Sequence, residues 1–194
     1  IRWDLGLLEV YWEHLDWKAL SNNRSPYFPW SIEFVEKHQD LLDWKEFSNN
    51  PNPAIPWSSE FLNRFKDRLD WKQLSNWKVV IEGEYGKPWA EDLLQEFEPY
   101  WDFRELAQNR WLTWTENMIE RYAERYQLLG LLSSHRKMPW SEDLIAKYQN
   151  QWDWAKLLSN DAVSWDWELL LKYEDKVDNI TAPYQTERLW NKLF

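Results

Sequence analysis

Apolar residues recur along this chain at fixed offsets from seven tryptophans: Trp3, Trp30, Trp57, Trp89, Trp114, Trp140 and Trp165. The intervals between these anchors are 27, 27, 32, 25, 26 and 25 residues. With each anchor counted as zero, offsets +4 and +5 are apolar every time, from Leu7-Leu8 and Phe34-Val35 to Leu144-Ile145 and Leu169-Leu170. Offset +8 reads Tyr11, His38, Phe65, Phe97, Tyr122, Tyr148, Tyr173, and offset +12 reads Leu15, Leu42, Leu69, Trp101, Tyr126, Trp152, Val177. At about 100° per residue these offsets share one stripe about 100° wide, which predicts an amphipathic helix of roughly 11–12 residues.

The polar positions mark where that helix starts. Offset +1 is Asp4, Ser31, Ser58, Ala90, Thr115, Ser141, Asp166, of which all but Ala90 are strong N-caps. The anchor is then the N′ residue and +5 is N4, the two members of a hydrophobic staple. Acids gather just inside the cap, as in Glu91-Asp92 and Glu142-Asp143, where the helix dipole favours them.

A second cap follows at +13 in six of the seven units, reading Asp16, Asp43, Asp70, Asp102, Gln127, Asp153, Asp178, where Gln127 is the exception. Behind it stand Trp17, Trp44, Trp71, Phe103, Leu128 and Trp154, and then an apolar +17 at Leu20, Phe47, Leu74, Leu106, Leu131 and Leu157. Ser-Asn pairs at 21–22, 48–49, 75–76 and 159–160 predict the end of this helix, with asparagine in the left-handed conformation. The second helix is then about one and a half turns long, too short to stand without neighbours.

Helix, tight corner, stub helix and loop thus repeat along residues 1–182. The predicted fold is all-α, a solenoid of about seven short helix-turn-helix repeats sharing a continuous core. The longest connection, 77–88, reads as an insertion within one array. Residues 183–194 leave the frame and read as a C-terminal capping segment with a helix over 186–193.

The run Asp43-Trp44-Lys45-Glu46-Phe47-Ser48-Asn49-Asn50-Pro51-Asn52, with Trp57 beyond it, resembles the tryptophan-rich "DWxxLSxN…W" repeat arrays of uncharacterised proteins from giant DNA viruses and some bacteria. The resemblance is clearest at 29–77 and 139–167 and weakens at 101–137, where Phe103 and Leu128 replace tryptophan. It implies a helical repeat fold and carries no activity with it.

Composition then narrows the function. The 194 residues include 18 tryptophans and only 4 glycines, which fits packed helices better than a turn-rich β architecture. A net charge of −10 repels polyanions, so neither nucleic acid nor an anionic membrane is an expected partner. No apolar run approaches a bilayer span, so membrane insertion is not expected, and a cytoplasmic compartment is favoured without being assigned. The chain starts at Ile1 without a methionine, as a processed product or a piece of something longer would.

The residues offer little catalytic chemistry. His38 occupies the +8 slot that is aromatic elsewhere, His14 lies at the stripe's edge, and His135 sits in a loop beside Arg136 and Lys137. There is no HExxH, no Cys/His cluster and no glycine-rich phosphate loop, so no metal or cofactor is expected. The acids mostly fill cap and solvent-face slots that recur from repeat to repeat, whereas a catalytic site should break the repeat. The expectation is a non-enzymatic scaffold for protein–protein interaction, with a self-assembling fibre or lattice subunit and a glycan-binding repeat protein as alternatives.

Two sets of residues break the pattern and are the candidate binding residues. Trp12 at +9 and Trp167 at +2 point away from the apolar stripe, where a partner, a sugar face or a neighbouring repeat would have to cover them. Trp77, Trp111 and Trp190 are also off the frame. Residues 101–137 carry a net charge of +1, against −11 for the rest, and hold five of the ten arginines, Arg104, Arg110, Arg121, Arg125 and Arg136, of which the first four are the candidate patch. Arg121 and Arg125 are spaced i, i+4 on the predicted helix.

Overall fold

A computed structural model describes residues 5–76 and 89–178. Trp3, Asp4, Trp77, Trp190, the 77–88 insertion and the 183–194 segment lie outside the described residues. Among the described residues every regular element is helical. The chain divides into two compact bodies, Ile1–Asp102 and Phe103–Phe194. The division falls within the fourth helix pair, away from the 77–88 segment.

In the first body the leading helices are α1 (Leu5–Tyr11), α3 (Ile32–His38), α5 (Ser59–Phe65) and α7 (Glu91–Glu96). The short partners are α2 (Trp17–Ser21), α4 (Trp44–Ser48) and α6 (Trp71–Ser75). The second body holds α8 (Phe103–Gln108), α9 (Glu116–Met118), α10 (Leu129–Leu132), α11 (Glu142–Lys147), α12 (Trp154–Leu158), α13 (Trp167–Lys172) and α14 (Glu174–Asp178).

Nine caps lie where the sequence puts them, whereas Asp178, also expected to cap a helix, is instead the last residue of α14. The side chains of Ser31, Ser58, Thr115, Ser141 and Asp166 each accept the N–H three residues on, as do Asp16, Asp43, Asp70 and Asp153 in the second helices. Each such bond satisfies a donor that the helix itself cannot.

The leading helices are shorter than the apolar stripe predicts: seven residues in α1, α3 and α5, and six in α7, α11 and α13. In α1, α3, α5 and α11 the reason is the tryptophan that follows. The indole N–H groups of Trp17, Trp44, Trp71 and Trp154 donate to the carbonyls of Trp12, Gln39, Lys66 and Gln149. That carbonyl would otherwise receive the next helical N–H, so the indole ends the helix and the chain turns. Leu42 and Leu69 still reach the core, from the turn rather than from a helix.

The second helices end without the left-handed asparagine expected of them. Asn22, Asn49 and Asn76 have φ of −102°, −94° and −94°. A serine terminates them instead: Ser21, Ser75 and Ser133 donate to the carbonyl four residues back, at Trp17, Trp71 and Leu129. The same hydroxyls accept the backbone N–H of the next pair's cap, from Asp43, Asp102 and Asp153, and Ser48 accepts that of Asp70. One hydroxyl thus closes one helix and starts the next.

Aromatic rings fill the space between. Phe47, with no exposed surface, has Trp30 and Trp57 at 5.0 and 5.7 Å and Phe61 at 6.1 Å. His38 is buried between Trp17 and Phe34, at 4.8 and 4.7 Å, in the role of an aromatic ring. A further core position precedes the anchor by two residues: Phe28, Ile55, Leu112, Met138 and Val163 are all buried. The anchors differ among themselves, since Trp30, Trp89 and Trp114 are buried while Trp57, Trp140 and Trp165 are only partly so.

The fifth pair is one residue out of the frame. Its leading helix is α-helical only over α9 and continues as a π-helical turn, Ile119–Ala123, which takes up an extra residue. Gln127, the one +13 residue that is not a cap type, takes another role. It sits at φ 55°, the αL residue of a Schellman motif in which Leu128 N–H reaches Ala123 O and Gln127 N–H reaches Glu124 O. Leu128 precedes α10, and Leu132 rather than Leu131 is the fully buried residue.

Candidate functional site

Four loops in this fold are closed by a buried polar side chain in one recurring slot. Asn50 Nδ2 donates to Ser21 O and Asn23 O, and Asn160 Nδ2 donates to Ser133 O and His135 O, so each reaches back into the preceding pair. Their Oδ1 atoms accept the N–H two residues on, from Asn52 and Ala162, and Asn109 Oδ1 does the same with Trp111. His135 fills the slot in the fifth pair. Its Nε2 donates to Asn109 O at 3.0 Å and its Nδ1 accepts Lys137 N–H at 3.2 Å, which requires the neutral Nε2–H tautomer. Burial pulls its pKa below the ordinary 6.5 and the Lys137 charge adds to this, while the bond to Asn109 opposes it.

In the second body the residue after each such side chain faces solvent. These are Arg110, Arg136 and Asp161, all exposed. A cavity of ≈ 630 Å³ opens here, lined by Ala107, Gln108 and Arg110 from the end of α8, Leu131 and Ser134–Arg136 from α10 and its loop, and Lys156 from α12. Its lining holds three permanent cations and no acid. Arg136 makes a long ion pair with Asp161 at 3.5 Å, and Lys156 pairs with Asp153 at 2.8 Å. No ion pair involves Arg110 among the described residues.

This arrangement gathers only one of the four predicted arginines. Arg104 lies exposed on α8, Arg121 within the π-helical turn, and Arg125 beyond it with its guanidinium 5.5 Å from the Tyr126 ring. The α-helical face that Arg121 and Arg125 were to share does not form, because the π turn interrupts it. Arg136 counts in the basic segment but not among the candidate residues, and Lys156 is not singled out by the sequence. Arg136 carries a signal in retrospect: like Arg110 it immediately follows a loop-closing side chain, a likeness hidden by the one-residue slip. Trp12 and Trp167 are both exposed, at 39% and 48%.

A second cavity of ≈ 250 Å³ is lined by Glu116, Glu120, Asp143 and Lys147 among others, and there Lys147 pairs with Glu120 at 2.7 Å. Among the described residues no three His, Cys, Asp or Glu side chains are grouped to hold a metal ion, and no helix is long and apolar enough to cross a membrane. No protein-family model matches the chain, and neither a curated protein nor a solved structure matches it significantly.

Proposed function

We propose that this chain is a non-enzymatic scaffold, a solenoid of about seven helical repeats that presents its surface to a protein partner. The hand-over of buried hydrogen bonds from pair to pair carries the reading. Ser21, Ser48, Ser75 and Ser133 each seat the next cap, and Asn50, Asn160 and His135 each reach back. Such one-dimensional coupling holds a surface rigid without converging on one reactive centre. The resemblance to tryptophan-rich repeat arrays belongs to the same reading. The test is a displayed-peptide library panned against the whole chain, together with light scattering over a concentration series. Peptide capture at constant particle mass supports a scaffold. Mass that grows with concentration and no peptide capture would favour a self-assembling structural subunit. The exposed rings of Trp12 and Trp167 favour glycan binding as a second reading, which tryptophan quenching by oligosaccharides would report.

A further inference from the structure

The lining of the basic cavity repeats with the period of the fold. Gln108 stands one residue before the loop-closing Asn109, and Ser134 one before His135. Arg110 stands one after the first, and Arg136 one after the second. Since α10 packs directly on α8, these residues form two successive rungs, each with a neutral polar side chain and an arginine. Small and apolar side chains, Ala107 and Leu131, lie between, and Lys156 adds a third cation alongside. On the third rung the arginine is replaced by Asp161.

We propose that Arg110 and Arg136 form a two-rung rail that binds an extended acidic polypeptide segment, one carboxylate to each arginine, through the surface that the scaffold reading requires. Packed helices lie about 8–10 Å apart. An extended chain in the polyproline-II conformation advances about 3.1 Å per residue with three residues per turn, so carboxylates three residues apart share a face and match two adjacent rungs. A planar guanidinium suits a carboxylate better than an ammonium does, because it offers two parallel N–H donors. Gln108 and Ser134 stand beside the rail where a bound backbone would need hydrogen bonds, and Ala107 and Leu131 leave an apolar floor for the residues between the acids. The rail is short. Asp161 repels further negative charge at its end, and the chain as a whole carries −10. A long polyanion would meet further repulsion beyond the second rung, whereas a short acidic segment has to displace only the long Asp161 pairing from Arg136.

The probe is a dye-labelled peptide with two glutamates three residues apart in a glycine-serine host, titrated into the whole chain at low salt and followed by fluorescence anisotropy. A control peptide of the same composition carries its glutamates side by side. The spaced peptide should bind the more tightly. Arg110→Glu together with Arg136→Glu should weaken it by about tenfold or more, and the milder Arg110→Gln, Arg136→Gln pair should weaken it less. Arg121→Glu with Arg125→Glu should leave it unchanged. An unchanged melting temperature in each variant shows that the fold is intact. Equal binding of the two peptides, or equal loss in the Arg121, Arg125 variant, would overturn the rail. So would tighter binding of a single-stranded oligonucleotide at the same residues. If the acidic peptide does not bind but the Arg110, Arg136 reversal abolishes self-association in sedimentation, the occupant is a second copy and the proposal fails. Library-selected peptides that bind the Arg110, Arg136 variant normally would also refute the rail, while leaving the scaffold reading standing.

Discussion

A histidine doing an asparagine's work has a cost that depends on pH. His135 both donates and accepts hydrogen bonds, and a protonated ring loses the Nδ1 acceptor that holds Lys137 N–H. Its folded pKa lies below the unfolded value near 6.5, so the folded chain resists the proton more than the unfolded chain does. The fold is fully stabilised above that value and loses stability as pH falls through it. Denaturant titrations at about pH 7 and about pH 5.5, above the range where ordinary carboxylates titrate, should show this loss, and His135→Asn should shrink it. An identical slope in the variant would show that His135 is not its source. Gln127 carries a different kind of strain. At φ 55° it occupies a conformation that disfavours a side chain, so Gln127→Asn or Gln127→Gly should stabilise the chain by about 0.5–1 kcal/mol. A loss in urea midpoint for both substitutions would contradict the Schellman assignment.

At the scale of the element, the serine hand-over makes neighbouring helix pairs depend on each other. Ser48→Ala strips the partner from Asp70 N–H in the first body and should cost about 1–3 kcal/mol. The second body supplies the contrast. Ala107 stands where the first, second, third and fifth pairs have the serine, and Leu128 N–H is already satisfied by Ala123 O. Ala107→Ser should therefore bring no comparable gain, and a gain as large as the Ser48→Ala loss would refute the compensation. These two departures, Ala107 and the π-helical turn, also show what the sequence displays and what it hides. The caps at Ser31, Ser58, Ser141 and Asp153 are legible because each bonds a backbone group three residues away. Helix length is not, because the terminating carbonyl at Gln39 or Lys66 is claimed by an indole five residues on, a bond that no apolar period records. The slip in the fifth pair is hidden in an interval of 26 residues, which looks regular from anchor to anchor. Asn50, Asn160 and His135 were missed as a set because their partners lie in the preceding pair, more than twenty residues back. Of the basic cavity Arg110 was legible as a candidate and Arg136 only as part of the basic segment; Lys156 joins them by packing.

Over the whole molecule, 33 acids face 23 bases. Ion pairs such as Arg64–Glu36 and Lys147–Glu120 join adjacent helix pairs, but all four side chains are more than 40% exposed, so each contributes little. Self-repulsion from the net charge of −10 outweighs them, and salt screens it. The melting temperature should rise from low ionic strength to about 0.15 M sodium chloride. A steady fall over that range would mean that the inter-repeat ion pairs outweigh the repulsion.

The spacing of the indole rings has an optical consequence. Trp89 and Trp101 lie 4.9 Å apart, Trp71 and Trp101 4.8 Å, and Trp140 and Trp152 5.3 Å, centroid to centroid. Transition dipoles this close exchange excitation, so light absorbed by one ring migrates to its neighbours before it is emitted. The intrinsic emission should be strongly depolarised under excitation in the middle of the absorption band, and should recover its anisotropy at the red edge, where only the lowest-energy ring absorbs. The same coupling adds paired bands of opposite sign to the far-ultraviolet circular dichroism, so the helical signal will understate or overstate the backbone it reports. Trp101→Phe breaks two of these pairs while keeping an aromatic ring in place. It should raise the mid-band anisotropy and change the dichroism with little change in helix content, and an unaltered spectrum would show that the rings of the first body do not couple.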